Sequence, residues 1–333
     1  MKHANISIFV PHEGCPNNCS FCNQKAISGQ SKTSTEKDVF SAVETAISHN
    51  IDPKNTEIAF FGGSFTAIER EQMVSLLTAA KCLMEKYRFA GIRVSTRPDC
   101  IDKEVLSLLK NYGVTSVELG AQSMDDIVLF LNRRGHTADH VRNASKLIKD
   151  FGFSLGLQMM TGLYGSDFEK DYYTAREIIK LSPETVRIYP TVVLKNTYLG
   201  ELFEKGEYLP PNAEKTAPFA AELLTEFENA GIKVIKLGLH ASETVEKDMI
   251  GGAYHPAFRE LCEGYIFLKK MTDLLEKKDK SGNYTLYVAK KSISKAKGLN
   301  KRNEKALKNQ GYCCKIKGKD FLDEFEIEVE EAQ

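Results

Sequence analysis

Ile6-Ser7-Ile8-Phe9-Val10 runs almost directly into His12-Glu13-Gly14-Cys15-Pro16-Asn17-Asn18-Cys19-Ser20-Phe21-Cys22-Asn23. Ile6, Ile8 and Val10 carry the period-two pattern of a strand. Gly14, Pro16 and the two asparagines suit a loop whose backbone wraps a compact inorganic core. Three of the chain's eight cysteines fall in this loop. A disulfide framework is not expected in a chain with so large a core, so a tight cysteine cluster points to metal or redox chemistry. Four-iron clusters usually take four thiolates. Three local thiolates leave one iron open to bind a substrate or cofactor directly. The alternative is a Cys₃His zinc site completed by His12. Such zinc sites draw two ligands from each of two knuckles, whereas these residues share one loop, which favours iron–sulfur.

Beyond this loop, strand-like and helix-like stretches alternate to about residue 240. Thr35 to Asn50 reads as a helix, with Thr33, Ser34 or Thr35 as N-cap. Ile58 to Phe61, Ile92 to Ser95 and Ser116 to Leu119 read as the next three strands. Helices are expected at Glu69 to Tyr87, Lys103 to Tyr112 and His136 to Phe151. Ser154 to Met160 and Thr185 to Tyr189 make a fifth and a sixth strand, with a helix over Phe168 to Leu181 between them. A helix from Glu214 to Ala230 then leads to a short apolar run, Val234 to Leu237. This alternation implies an α/β fold with a parallel sheet and right-handed crossovers. Six such units fit an open barrel or a doubly wound sheet, and periodicity does not separate the two. In a (β/α) barrel the cysteine loop lies at the C-terminal ends of the strands, where active sites are kept.

The 42% hydrophobic and 27% charged content of the 333 residues is that of a globular domain with an appendage. Formal charge is zero, so whole-molecule electrostatics favour no partner. The N-terminus lacks a continuous apolar h-region, and no segment approaches the roughly 20 apolar residues of a membrane span. A cytoplasmic protein with no membrane association is therefore expected. A division into residues 1–245 and 246–333 is also expected. The second part reads as a small α+β appendage. It has a long helix over 255–279, a strand at Tyr284 to Val288, a basic helix from Ser292 to Gln310, and strands at Tyr312 to Ile316 and Glu324 to Val329.

Cys-x₃-Cys-x₂-Cys with an aromatic, Phe21, before the last cysteine resembles the radical S-adenosylmethionine (SAM) signature. Gly62-Gly63-Ser64-Phe65-Thr66 resembles that superfamily's glycine-rich motif. Ser95-Thr96-Arg97-Pro98-Asp99, Glu118-Leu119-Gly120-Ala121-Gln122-Ser123 and Asn132-Arg133-Arg134-Gly135-His136-Thr137 resemble the elongator catalytic-subunit branch. Gln158-Met159-Met160 and Tyr189-Pro190-Thr191 extend the likeness, which covers about residues 5–240. The resemblance implies a partial (β/α)6 barrel in which Cys15, Cys19 and Cys22 hold a 4Fe-4S cluster. The open iron would chelate the amino and carboxylate groups of SAM, and one electron would cleave the sulfonium to methionine and a 5′-deoxyadenosyl radical. That electron implies a reducing partner of the flavodoxin or ferredoxin type.

Gly62 and Gly63 permit close approach of backbone to ligand, and Ser64 follows them; a plain strand-ending turn is the alternative. Arg134 suits bidentate binding of the cofactor carboxylate, with Arg133 competing for that role. Glu118 and Gln122 are expected at the barrel mouth, with Arg97 either a cofactor contact or the ion-pair partner of Glu118. Gln158 and Met160 are expected to face the cofactor, and Tyr189 the cofactor or substrate. His136 has no firm role, and Lys195, Asn196 and Lys236 are weaker candidates. Cys100 reads as a buried free thiol. Cys313 and Cys314, adjacent in a strand, point to opposite faces and do not share a metal.

Lys290 to Lys308 holds eight lysines and arginines against one acid, Glu304. Lys290, Lys291, Lys295, Lys301 and Arg302, with Tyr284, Tyr287 and Tyr312 nearby, form a candidate RNA contact. The competing reading is a solvated helix balanced by the acidic segment Asp320 to Glu331. The elongator resemblance favours RNA, with tRNA first. The chain is expected to lack the acetyltransferase domain of that branch, so a different RNA modification is expected. A small metabolite or tetrapyrrole substrate is the runner-up, and a zinc-dependent RNA-binding module the non-enzyme alternative.

Overall fold

A computed structural model describes residues 4–10, 15, 18–23 and 34–331 of the chain. β1 (Ala4–Val10), β2 (Thr56–Gly62), β3 (Gly91–Thr96), β4 (Val114–Gln122), β5 (Ser154–Thr161) and β6 (Thr185–Pro190) lie side by side in sequence order. After a short β7 (Val192–Leu194), β8 (Lys233–Leu237) adds a seventh strand beside β6. All seven are parallel. The expected six-stranded partial barrel is thus a curled half-barrel of seven strands, the apolar run at 234–237 supplying the last.

Between the strands run α1 (Glu36–Ser48), α2 (Arg70–Tyr87), α3 (Lys103–Asn111), α4 (Asp126–Leu131), α5 (Ala138–Asp150), α6 (Phe168–Leu181), α7 (Tyr198–Glu204) and α8 (Ala213–Asn229). Their starts are written locally. Asp102, Thr137, Asp167 and Asn212 each accept a hydrogen bond from the backbone N–H three residues on. Caps of this kind contribute about 1 kcal/mol each. Thr35 and Asp38 form a capping box at the head of α1.

The two faces of the sheet differ sharply. Along β4 the wholly buried Val117, Leu119 and Ala121 alternate with Ser116, Glu118, Gly120 and Gln122. Along β5, buried Leu155, Leu157 and Met159 alternate with Gly156, Gln158 and Met160. The apolar set joins the helices in one continuous core. The polar set lines the concave side, so the half-barrel presents a polar interior at its strand ends.

β7 pairs antiparallel with β9 (Met249–Gly252), which follows α9 (Glu243–Asp248). The long α10 (Phe258–Leu275) belongs to two cores: Phe258, Leu261, Cys262 and Ile266 pack into the barrel, while Phe267, Met271 and Leu275 pack into a second cluster. That cluster sits under a three-stranded sheet in which β10 (Asn283–Ala289) lies between β11 (Cys313–Lys319) and β12 (Ile327–Glu331). Residues after 246 therefore serve both cores.

The single basic helix expected over 292–310 is two short ones, α11 (Ile293–Lys297) and α12 (Arg302–Asn309). Gly298, Asn300 and Lys301 have positive φ between them. The Asn303 side chain donates to the Ala296 and Gly264 carbonyls at 2.9 and 2.8 Å, fixing the break.

Candidate active site

The strand ends enclose a cavity of about 480 Å³, lined in part by Cys15, Cys19 and Cys22. The loop that carries them is tied down from two sides. Ser20 donates its N–H to the Asn132 carbonyl at 3.1 Å and its hydroxyl to Asn132 Oδ1 at 2.7 Å. Its own carbonyl accepts from the Leu199 N–H at 2.8 Å. Burial, then the neighbouring Cys19, push the Cys15 thiol upward; the Ser64 N–H and the Arg97 and Arg134 charges oppose them. Arg134 Nη1 lies 2.9 Å from Cys19 Sγ and Nη2 2.7 Å from the Gly120 carbonyl. Phe21 lines the same cavity, its ring centroid 5.8 Å from that guanidinium.

Among the described residues, no three His, Cys, Asp or Glu side chains form a group that would hold one metal ion. Thiolates at separate irons of a four-iron cluster have no need to converge. The zinc alternative relied on His12, which lies outside the described residues. Among the cavity residues, Ser95 Oγ, Arg97 Nη1 and Gln122 Oε1 are buried polar atoms with no hydrogen-bond partner among the described residues. Native interiors rarely leave such atoms unpaired without a ligand or water to meet them. Facing a cysteine triplet, they suit the amino-acid and nucleoside ends of SAM beside a cluster.

One glycine is required sterically, and a second is closely packed. Gly62 has φ +108° and ends β2, and a side chain there would meet the Val10 carbonyl at 3.1 Å. The Gly63 N–H donates to that same carbonyl at 2.6 Å, so the glycine pair is docked on the end of β1 while lining the cavity. At Gly120 a Cβ would stand 3.0 Å from Gln122 Nε2 and 3.4 Å from Arg134 Nη2. Ser64 is wholly buried, bonded to Thr96 Oγ1 at 2.8 Å, and Gln158 and Met160 reach the cavity wall.

Two expectations need correction. Glu118 does not pair with Arg97. Arg97 grips Asp99 with Nε and Nη2 at 2.9 and 2.8 Å and also donates to the Arg134 carbonyl. Glu118 instead faces Arg187 Nε at 2.8 Å and Arg93 Nη1 at 3.7 Å, and accepts from Gln158 Nε2. Its side chain is 1% exposed and forms no part of the cavity lining. A carboxylate this deep needs compensating cations, and β3 and β6 supply them from either side. Arg93 also binds Glu57 at 2.8 Å, which closes a buried four-charge network beneath the cavity.

His136 is buried, with Nε2 3.1 Å from the Ala121 carbonyl. Burial, then the Arg134 charge, lower its pKa to about 3, so it is a neutral support for the end of β4. Tyr189 reaches the cavity with a hydroxyl pushed up by burial. Arg187 and His240 also line it, and neither was singled out from the sequence. The signal for Arg187 was present: a cation between Val186 and Ile188 in an apolar strand, two residues from Tyr189. Lys236, a weak candidate, lines the same wall. Cys100 is half-buried beside Ser64 and Arg97, outside the lining. Cys313 is exposed and Cys314 half-buried, its thiol pushed up to about 11 by burial and then by Cys313.

The basic stretch lies apart from this cavity and is largely neutralised. Lys290 meets Asp320 at 2.8 Å, Lys295 meets Glu263 at 2.7 Å and Glu324 at 3.0 Å, and Lys291 lies 3.9 Å from Glu324. Arg302 pairs with Glu214 and stacks on Tyr265, while Lys301 is exposed. Tyr284 and Tyr312 are buried in the appendage core, which withdraws them from base stacking.

The chain covers 65% of itself and 54% of a tRNA uridine(34) acetyltransferase of Dehalococcoides mccartyi, at 28% identity. Against the protein of that name from Methanocaldococcus jannaschii it is 37% identical, over 39% of this chain and 25% of the relative. Human Elongator complex protein 3 is 30% identical over 51% of this chain and 30% of its own length. The chain thus spans between a quarter and about half of these relatives. In fold it is similar to an archaeal Elp3 of Methanocaldococcus infernus lacking its N-terminus (TM-score 0.66, 21% identity), covering 81% of this chain and 64% of that one. A Radical_SAM C-terminal domain model matches residues 183–266. The Radical SAM superfamily model matches residues 9–178, just over half of the chain, and with the cysteine-lined cavity at the strand ends it makes this protein a member of the radical SAM superfamily, an enzyme class that uses a 4Fe-4S cluster and SAM.

Proposed function

We propose that this chain abstracts hydrogen from a nucleotide of RNA, with tRNA as the favoured substrate. The cluster and SAM, when bound, supply an electron and a 5′-deoxyadenosyl radical as the abstracting agent. Cys15, Cys19 and Cys22 hold the cluster. Arg134 spans from the thiolates toward the cofactor carboxylate, a bidentate role that guanidinium fits. Ser95, Arg97 and Gln122 offer their unpaired atoms to the remaining polar groups of the cofactor. Gly62 and Gly63 bring backbone against it, and Met160 and Gln158 close the far side. The electron comes from a flavodoxin- or ferredoxin-type partner, and the protein works in the cytoplasm. No helix among the described residues is long and apolar enough to cross a membrane.

One observation carries this reading: the segments that resemble the elongator branch, though dispersed in sequence, converge on the cysteine-lined cavity through Ser95, Arg97, Gln122 and Arg134. Relatives named as tRNA uridine(34) acetyltransferases support RNA as the substrate class. A small metabolite or tetrapyrrole is the second reading, favoured by the ion pairs that occupy Lys290, Lys291 and Lys295.

The test is anaerobic reconstitution with iron and sulfide, then SAM and dithionite, with and without total tRNA. A Cys15→Ala/Cys19→Ala/Cys22→Ala variant is the control. 5′-Deoxyadenosine from wild type alone, rising with tRNA, is the expected result. Formation that tRNA leaves unchanged moves the substrate to the second reading. A loaded cluster that cleaves no SAM with any reductant refutes both.

A further inference from the structure

The cavity lining holds three arginines, a lysine and a histidine, yet no aspartate or glutamate among the described residues. Most of that positive charge is already answered. Arg97 is gripped by Asp99, and Arg134 stands against Cys19. Arg187 faces Glu118 and lies 4.9 Å over the Phe61 ring. In the network below, Arg93 and Arg187 balance Glu57 and Glu118.

Lys236 is the exception. It is half-buried, and its ammonium has no hydrogen-bond or ion-pair partner among the described residues. It is the register neighbour of Arg187 across the β6–β8 pair, so both side chains leave the sheet on the cavity face. Like charges on neighbouring strands are destabilising. Burial, then the Arg187 charge, depress the Lys236 pKa accordingly. His240, just past the end of β8, and Tyr189 complete this wall. The arrangement lacks an anion.

The cofactor's own carboxylate is not that anion on this geometry: it belongs where the cysteines are, and the cation in contact with a cysteine is Arg134. Resting on the reading that this cavity is the radical site, we propose that Lys236, flanked by Arg187 and His240, seats an oxyanion of the substrate, a phosphate or a carboxylate. An oxyanion there would relieve the Lys236–Arg187 repulsion and take a charge-assisted hydrogen bond from the ammonium. It would also fix the substrate at a point removed from the carbon that loses hydrogen, orienting it without touching the reacting atoms.

The test uses reconstituted, SAM-loaded protein and calorimetric titration with uridine, uridine 5′-monophosphate and succinate. Wild type is expected to bind the monophosphate about tenfold more tightly than uridine, a gain of about 1.4 kcal/mol. Lys236→Gln is expected to erase the gain and Lys236→Arg to restore most of it. If the monophosphate gains nothing while succinate binds wild type and not Lys236→Gln, the oxyanion is a carboxylate. If neither anion prefers wild type over Lys236→Gln, or if that variant loses affinity for SAM itself, the subsite is overturned. Wild-type cleavage of SAM is scored in the same preparations. Cleavage without anion preference refutes the subsite alone, and failure of cleavage refutes the reading beneath it.

Discussion

Replacing Glu118 by alanine tests whether the buried network beneath the cavity holds the half-barrel together. Glu118 is 1% exposed as a side chain, against 6% for Arg93, 7% for Glu57 and 14% for Arg187. Its oxygens lie 2.8 Å from Arg187 and 3.7 Å from Arg93. At an effective dielectric of ~20, unit charges ~4 Å apart attract by about 4 kcal/mol. Glu118→Ala removes both attractions, leaving Arg93 with Glu57 and Arg187 without its carboxylate. Breaking a buried pair from one side costs about 3–5 kcal/mol, because the remaining charge stays desolvated. A Glu118→Leu/Arg187→Met double variant removes one charge of each sign and keeps Arg93 with Glu57. Apolar replacements of that kind are often near neutral, so at least about 2 kcal/mol should return relative to Glu118→Ala. Urea unfolding followed by circular dichroism reads both numbers from the midpoints, provided the slopes agree. A Glu118→Ala loss below about 1 kcal/mol, or a double variant no better than the single one, refutes the coupling inferred from these distances.

Arg134→Lys keeps the charge but cannot reach Cys19 and the Gly120 carbonyl at once, so SAM affinity of the reconstituted protein should fall about tenfold. Equal affinities in an equilibrium titration would remove Arg134 from the cofactor site. Asp171, 2% exposed, accepts from the Gly162 N–H at 2.7 Å and the Ser166 hydroxyl at 2.6 Å, and burial is the main force raising its pKa from 3.8 to about 7. A carboxyl raised in the fold takes up a proton there before the unfolded chain does, so stability from this group grows as pH falls through 7 and levels off near 4. Wild type should therefore gain on Asp171→Asn as the pH of urea titrations is lowered from 8 to 5, and a pH-independent difference would show that the carboxylate stays ionised.

How much of this was legible follows from which interactions are local. The cap at Thr35 and the strand patterns along 116–119 and 154–160 are local, and each led to the element that forms. The seventh strand was visible as Val234 to Leu237 but too short to claim without its neighbour β6. Partners of buried charges were not legible. Arg97 is the arginine of the conspicuous motif, yet its Nε and Nη2 are taken by Asp99 two residues away. The cations that serve Glu118 come from β3 and β6, where single arginines sit among apolar residues. The basic run was legible only in part, for a related reason. Its charge is read from composition, whereas its neutralisation by Glu263, Asp320 and Glu324 exists only after α10 and the appendage sheet pack around it. Gly298-Leu299-Asn300 did carry a breaker signal, which the lysine density obscured.

The clamps on the cysteine loop say how such a site stays in register. Cys19 and Cys22 bracket Ser20, and the Cys22 N–H closes a turn onto the Cys19 carbonyl at 3.1 Å. Ser20 is wholly buried and bonded on one side to Asn132 and on the other to the head of α7 through Leu199. Asn132 is in turn fixed to the Val128 and Tyr164 carbonyls at 2.8 and 2.9 Å. The segment that continues through Asn132 also delivers Arg134 to Cys19. A displacement of that segment would therefore carry the thiolate and its guanidinium together, preserving their contact where independent loops would lose it. Cys15 sits differently, near the Ser64 N–H that favours its thiolate, beside the glycine pair docked on β1. The three cysteines thus report to two separate pieces of the sheet, the ends of β1–β2 and of β4. Precision of this sort comes from supporting contacts on rigid elements, and here one small buried serine between two cysteines supplies much of it.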